Sequence, residues 1–502
     1  MLRAAAAMAP RSGAARRALG LALRALDRPA EAEAELRDAV ALDPGDAASC
    51  NDLGSLLARQ RRLAEALPLF CAAAERDPRC ADGPANLCAA LGELGRLEEA
   101  AEAGRRAVAL QPGHANAQAN LGASLVRLGC AEEAVAACTA ALRASPRHAG
   151  ARANLGLALT RLGRFKEALA ALRASLQLAP GHRDARLGLA TTLLLLGRFE
   201  EGFAAYEGRP TPPAAPGAPP VWRGEALAGR TIRLEAEQGL GDTIQFVRYL
   251  PEVAHRGARV QLVAPAALAP LMRGLPGLDA LSAPGAPTLP SDFRCALPSL
   301  PHRFGAELGA IPSEVPYLRA EPVAVARWGA ALAGLPGRRI GLVWAGNPSH
   351  LNDRNRSIPF HRLAPLWAVP GVSWVSLQCG AAAAALEGAS IGAVRDVSPA
   401  LHDFGETAAA LMQLDLLVTV DTSVAHLAGA LGCPAWVLLP WLPDWRWLLG
   451  RGDSPWYPTL RLLRQQRQGD WDGVLRRVAD ALARGADAGS GTAPHAAAAE
   501  IH

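Results

Sequence analysis

Half of the 502 residues are hydrophobic and a fifth are charged, which is apolar material for several cores and predicts two to four domains. The net charge of +5 is spread evenly and rests almost wholly on arginine, with Lys166 the single lysine, so the balance does not mark a nucleic-acid-binding protein. Nine cysteines, at 50, 71, 80, 88, 130, 138, 295, 379 and 433, include no C-x-x-C pair; they read as thiols in a reducing compartment and argue against a disulfide framework or a metal site. No run of about 18 apolar residues is present to span a membrane.

Residues 1–11 are weakly like a signal or transit peptide. The apolar run is short, and Pro10 is already in phase with a series of later prolines, so a mature start to a cytoplasmic protein is favoured over a targeting peptide, with 1–11 as a leader to the repeats. Those prolines stand at 10, 44, 78, 112, 146 and 180, an interval of 34 residues each time. A glycine lies ten residues after the proline at Gly20, Gly54, Gly122 and Gly156. Another recurs at Gly95, Gly129, Gly163 and Gly197, where two helices would turn, and alanine recurs at 32, 66, 100, 134 and 168 where they would cross. Small residues permit close helix contact, and proline ends the second helix of each pair. This register resembles the tetratricopeptide repeat (TPR), and residues 12–206 are expected to form an all-α solenoid of five full repeats and one partial repeat.

TPR arrays bind extended ligands in the groove lined by their first helices. Asp52, Asn86, Asn120 and Asn154 fall one per repeat on those helices. A side-chain amide can donate to and accept from a peptide backbone without reading its sequence. The series resembles the asparagine ladder in the TPR half of protein O-GlcNAc transferases, which implies a protein or peptide partner. The plainer reading is that asparagine is common at this position and faces water.

A proline-rich linker is expected over 207–225 (Arg209-Pro-Thr-Pro-Pro-Ala-Ala-Pro-Gly-Ala-Pro-Pro220), stiff and extended. Thr231–Glu237 then reads as a strand, Gln238-Gly-Leu-Gly-Asp-Thr243 as a loop, Ile244–His255 as a helix and Val260–Val263 as a second strand. This is a Rossmann-like opening to a domain over 226–337, although the loop is not G-x-G-x-x-G. The stretches 283–299 and 312–337 read as largely irregular. A second α/β unit over 338–484 opens with the strand at Arg339 and the turn Gly346–Asn347, followed by a polar loop carrying Arg354 and Arg356. A strand Trp374–Leu377 ends at Gln378, and a helix is expected over Glu406–Leu414. The tail over 485–502 reads as disordered.

The densest signal is Leu416-Leu-Val-Thr-Val-Asp421-Thr-Ser-Val-Ala-His426-Leu-Ala-Gly-Ala-Leu-Gly-Cys-Pro434. It reads as a buried parallel strand, a sharp turn, and a helix Ser423–Leu431 stopped by glycine and proline. Asp421, Thr422 and Ser423 are N-cap types, and a helix start of this kind attracts phosphate. D-T-S-x-x-H-L-A-x-A with a following G-x-P resembles the nucleotide-site signature of the ADP-heptose:lipopolysaccharide heptosyltransferases, glycosyltransferase family 9. The upstream G-x-G-D loop resembles the opening of the same proteins.

That resemblance implies a GT-B fold of two Rossmann-like domains facing a cleft, with Asp242 as catalytic base. Taken by itself, Asp242 reads better as a helix cap after a glycine turn than as a base; the D-T-S turn about 180 residues on, as a GT-B fold requires, puts catalysis ahead. The nucleotide-sugar site would draw on Gly346, Asn347, Arg354, Arg356, Gln378, Asp421, Thr422, Ser423 and His426. Trp445, Trp447, Trp456 and Tyr457 could stack on a base or sugar, with core packing as the plainer reading. The family places a lysine at the diphosphate, and this chain has none after Lys166. Either an arginine substitutes or activity is reduced or lost. No D-x-D-type metal site is evident, so inverting, metal-independent transfer without a cofactor is expected. Three functions compete: a bacterial glycosyltransferase whose TPR arm recruits a protein acceptor, a transferase acting on a lipid- or polysaccharide-linked acceptor, and a TPR adaptor with a degenerate GT-B part.

Overall fold

The computed structural model describes residues 8–211, 217–305, 307–350, 352–387 and 394–485. The expected leader up to residue 7 and the tail from residue 486 lie outside them. The chain divides into two compact units, one ending at Thr192 and the other starting at Leu193.

The first unit is a stack of antiparallel helix pairs: α1 Gly13–Ala25, α2 Pro29–Leu42, α3 Ala47–Arg59, α4 Leu63–Arg76, α5 Asp82–Glu93, α6 Leu97–Leu110, α7 Ala115–Leu128, α8 Ala131–Ala144, α9 Ala149–Arg161 and α10 Phe165–Leu178. The unit ends inside α11, Arg183–Leu195, and α12 is Phe199–Tyr206. The periodic prolines from Pro44 onward each stand two residues past the end of a second helix. The periodic alanines 32, 66, 100, 134 and 168 are completely buried.

The recurring first-helix glycine is a packing device. A Cβ on Gly20 would lie 2.7 Å from Leu36 Cγ, and one on Gly54 would lie 2.8 Å from Phe70 Cε1. Gly122 and Gly156 face Cys138 and Leu172 in the same way. The series skips position 88, which is cysteine, and there the second helix supplies the gap: a Cβ on Gly104 would sit 3.0 Å from Cys88 Sγ. Each of these pairs thus keeps one large and one absent side chain, which holds the interior at close-packed density. The inter-helix turn needs left-handed backbone. Gly95, Gly129, Gly163 and Gly197 supply it with φ between +72° and +82°, whereas Asp27 (φ +57°) and Arg61 (φ +66°) adopt it as non-glycine residues in the first two repeats.

The second unit carries two all-parallel sheets. The first has the order β3-β2-β1-β4, from β1 Thr231–Glu235, β2 Arg259–Val263, β3 Ala280–Ser282 and β4 Phe293–Ala296. Helices α13 Leu240–Phe246 and α14 Leu250–His255 follow β1. The second sheet has the order β10-β9-β8-β5-β6-β7, from β5 Arg338–Val343, β6 Val372–Ser376, β7 Val394–Asp396, β8 Leu416–Val420, β9 Ala435–Leu439 and β10 Leu460–Arg464. Its helices include α15 Pro322–Leu332, α16 Phe404–Leu411, α17 Ser423–Leu431 and α18 Trp471–Ala483. All five residues of β8 and of β9 are buried, as a parallel sheet covered on both faces requires.

Three expectations need correction. The repeat pattern does run to residue 206, with α11 and α12 as its last two helices, but the compact unit ends earlier: Leu193–Tyr206 belongs to the α/β unit, where Phe199 packs on Trp456 and Phe203 meets Trp445 edge-on at 5.5 Å. Arg209 is not a linker residue: it is 6% exposed and forks onto Glu237 at 2.7 and 2.8 Å, with Ser299 Oγ at 2.9 Å. The stretch 283–299 contains β4, and the stretch 312–337 contains α15, capped by the Glu321 carboxylate. Finally, α16 starts two residues earlier than expected and stops at Leu411.

Candidate functional site

The solenoid series forms a physical ladder, and its amides are partly spent. Asn120 Nδ2 donates to Ala85 O at 3.0 Å, and Asn154 Nδ2 donates to Ala119 O at 3.2 Å. Asn86 Nδ2 donates to Asn51 Oδ1 at 2.8 Å. Asp52 is ion-paired with Arg17 at 2.5 Å. Each rung therefore ties one first helix to the one before it. The half-buried asparagines keep a carbonyl oxygen able to accept from a ligand.

In the α/β unit both motif loops fall where the strand order reverses. The chain runs outward through β5, β6 and β7, then returns to lay β8 on the other side of β5. The Gly346 loop and the D-T-S turn follow β5 and β8 and so flank that reversal. The Gln238–Asp242 loop follows β1, which β2 and β4 flank in the same manner. Ligands of open α/β sheets bind at the carboxyl ends of strands at such points.

Thr422 is the N-cap of α17 with extended backbone, and its side chain does not cap. Its Oγ1 lies 3.3 Å from Thr419 Oγ1 instead. The first N–H groups of a nine-residue helix are thus left without a side-chain cap from Thr422, as an anion site needs. Asp421 is 9% exposed; burial first, and then the Asp444 carboxylate, push it up to about 6. His426 is buried, with Nδ1 2.9 Å from Tyr457 Oη and its ring stacked on Trp447. Burial, reinforced by Arg446, pushes it down to about 3, so it is a neutral ring at physiological pH.

The two loops meet. A Cβ on Gly241 would stand 2.8 Å from His426 Cδ2 and 3.5 Å from Ser423 Cα, so only glycine permits this approach. Asp242 accepts from Gly239 N–H at 2.9 Å, which is the capping role, and also from Arg446 Nη2. Arg446 further donates from Nε to Gln245 Oε1 at 2.9 Å and from Nη1 to Asp444 at 2.7 Å. Burial opposes its charge, but Asp242 and Asp444 outweigh burial and raise it well above the ordinary arginine range. The guanidinium is a permanent cation at the meeting point of the two loops.

Other expected residues do different work. Gln378 is 3% exposed; its Oε1 accepts from Trp344 N and Ala345 N, and its Nε2 donates to Ala345 O and Cys379 O. It shapes the loop after β5 and has no amide group left over for a ligand. Gly346 lies directly beneath Arg356, whose Nη2 would be 2.6 Å from a Cβ there, and its N–H donates to Ser357 Oγ at 2.9 Å. Asn347 turns its own loop by accepting from Ser349 N–H at 3.0 Å. Arg356 is held by Asp353 at 3.2 Å, while Arg354 is exposed. Trp445, Trp447, Trp456 and Tyr457 are core residues, none more than 3% exposed. Sequence reasoning misses Arg446 and Asp444. Their one signal is a charged pair flanking the start of the Trp-Arg-Trp run shortly after β9.

Tetratricopeptide-repeat models match residues 1–47, 51–115, 90–149 and 119–182, and a second such model matches 159–207. The N-terminal part of the chain is therefore a TPR array. Protein FlbA of Caulobacter vibrioides is 30% identical over 290 residues, 52% of this chain and 48% of that protein, so the chain spans about half the length of this relative. Similar solved structures include YrrB, described as a TPR protein with an unusual peptide-binding site, at 22% identity over 37% of this chain and 95% of that one, with a TM-score of 0.31. They also include TTC0263, a thermophilic TPR protein of Thermus thermophilus, at 26% identity over 36% of this chain and all of that one, with a TM-score of 0.31. Among the described residues no helix is long and apolar enough to cross a membrane.

Proposed function

We propose that the α/β unit is a glycosyltransferase acting from a nucleotide-diphosphate sugar, and that the TPR array recruits a protein acceptor. The observation that carries this reading is the meeting of two motif loops, each from the carboxyl end of a strand beside a sheet's order reversal, at Gly241–His426 and Asp242–Arg446. The diphosphate would rest on the start of α17, and Arg446 would supply the cation that a lysine supplies elsewhere in family 9. Asp242 would take the proton of the acceptor hydroxyl as the sugar–phosphate bond breaks and the diphosphate leaves. A protein acceptor is favoured over a lipid- or polysaccharide-linked one by the asparagine ladder of the array.

One observation favours a second reading, a nucleotide-binding TPR adaptor without turnover: both oxygens of Asp242 are engaged, one by Gly239 N–H and one by Arg446. Calorimetry with pyrophosphate and with ADP-, UDP- and GDP-sugars tests the shared site. The Ser423→Asp variant should lose affinity about ten- to a hundredfold, the scale of lost charge-assisted hydrogen bonds. If the wild-type chain binds none of these, both readings fall. Binding with no sugar consumed in the presence of candidate acceptors selects the adaptor.

A further inference from the structure

The chain has eleven tryptophans, all among the described residues. Nine are buried and Trp367 is half-buried, while Trp441 is 48% exposed. Its ring joins none of the aromatic contacts that fix Trp445, Trp447 and Trp456. Its backbone is nonetheless held: Trp441 N–H donates at 3.1 Å to Gln465 Oε1, and Gln465 is 4% exposed and also accepts from Gly469 N–H at 2.9 Å.

The position is specific. Trp441 stands two residues past β9, which pairs directly with β8. Adjacent strands lie about 4.8 Å apart, so its backbone is one strand over from the turn that starts α17. The same short segment continues to Asp444 and Arg446, which face Asp421 and Asp242. An exposed apolar ring thus stands on an anchored backbone, one strand over from a helix start that has no side-chain cap. Flat aromatic rings take such a face readily, since every nucleobase has a π-surface to offer.

We propose that Trp441 is the stacking platform for the nucleobase of a nucleoside diphosphate whose phosphates sit at the start of α17. The inference rests on the nucleotide-site reading above and adds the residue that receives the base. The sugar of the donor lies on the other side of the diphosphate, toward Asp242 and Arg446.

The experiment is calorimetry on the full chain with pyrophosphate, ADP, UDP, GDP and free glucose, for the wild type, Trp441→Ala and Trp441→Phe. The expected result is a loss of about ten- to a hundredfold in nucleoside-diphosphate affinity for Trp441→Ala, partial rescue by Trp441→Phe, and unchanged pyrophosphate affinity. Nucleoside-diphosphate affinity unchanged in Trp441→Ala overturns the platform and leaves the phosphate site standing. An equal loss for pyrophosphate also overturns it, since that would be a general disturbance of the loop. Selective loss of glucose binding, with nucleotides unaffected, moves the ring to the sugar and overturns the assignment to the base. A wild-type chain that binds neither pyrophosphate nor any nucleotide removes the underlying site reading, and the platform with it.

Discussion

Arg446 donates to a carboxylate oxygen of Asp242, joining the segment after β9 to the first turn after β1. The side chains are 10% and 15% exposed, so their attraction is little screened and the loss of one partner strands the other. Arg446→Gln leaves Asp242 and Asp444 without their cation and should cost about 3 kcal/mol. Chemical denaturation reads this directly, and a midpoint equal to wild type would deny the pair any structural role. Asp242→Asn keeps the shape and the capping bond. On the transferase reading proposed above, single-turnover transfer should nevertheless fall roughly a hundredfold or more, the usual scale for a general base. Full activity would reduce Asp242 to a cap.

The site also predicts two opposed pH dependences. Asp421 is raised to about 6, so its contribution is present below the unfolded value near 4 and is lost as pH rises through 6. His426 is lowered to about 3, so its contribution is full above about 6.5 and is lost as pH falls toward 3. Each acts with a slope of up to roughly 1.4 kcal/mol per pH unit in its window. Asp421→Asn should therefore stabilise the protein at pH 8 and change little at pH 4. His426→Gln should flatten the acid side. Denaturation midpoints from pH 4 to 8 decide both.

Arg61 occupies the left-handed turn that glycine fills in the later repeats. Its ion pair with Glu93 is exposed at both ends and contributes little. Arg61→Gly should raise stability by about 1 kcal/mol through relief of the left-handed backbone. A melting temperature that falls would mean the ion pair outweighs the strain.

Cys88 and Gly104 exchange the large and small roles held by Gly122 and Cys138 one repeat later. Cys88→Gly alone should open a gap, and Gly104→Cys alone should overpack, each costing about 1–3 kcal/mol. The double variant copies the neighbouring pair and should recover most of that loss. A double-mutant cycle with no coupling would refute the pairing.

The asparagine ladder ties the first helices of successive repeats together, so Ala at 86, 120 and 154 should cost about 1 kcal/mol per lost hydrogen bond while helicity is kept. Circular dichroism and thermal melts of the triple variant test this. An unchanged melting temperature would leave ligand contact as the ladder's only role.

The solenoid was legible because proline, glycine and alanine repeat in phase, each enforcing a local geometry. Even its gap at position 88 has a local cause, visible once Gly104 is placed opposite. The turn after β8 was legible because a fully buried strand leaves a continuous apolar run. Helix α15 was not, since Pro322 at its first turn and Gly329 inside it look like loop punctuation, and its cap is the single carboxylate of Glu321. Arg446 was not legible either. Its meaning comes from a partner 204 positions away, and no local pattern encodes that distance. The tryptophans could not be sorted by sequence, because burial is decided by what the surrounding elements cover.

The last helix of the repeat pattern has one more consequence. Tyr206 Oη lies 3.0 Å from Gln238 Oε1, at the head of the loop that carries Asp242, and Phe199 and Phe203 cover Trp456 and Trp445. Cutting the gene where the repeats end would strip three aromatic rings from the α/β unit and leave indole faces bare to water, an invitation to aggregate. Repeats could be gained or lost upstream of Leu193 over evolutionary time, but Phe199–Tyr206 cannot travel with them. Heredity by repeat and autonomy in folding therefore follow different borders in this chain.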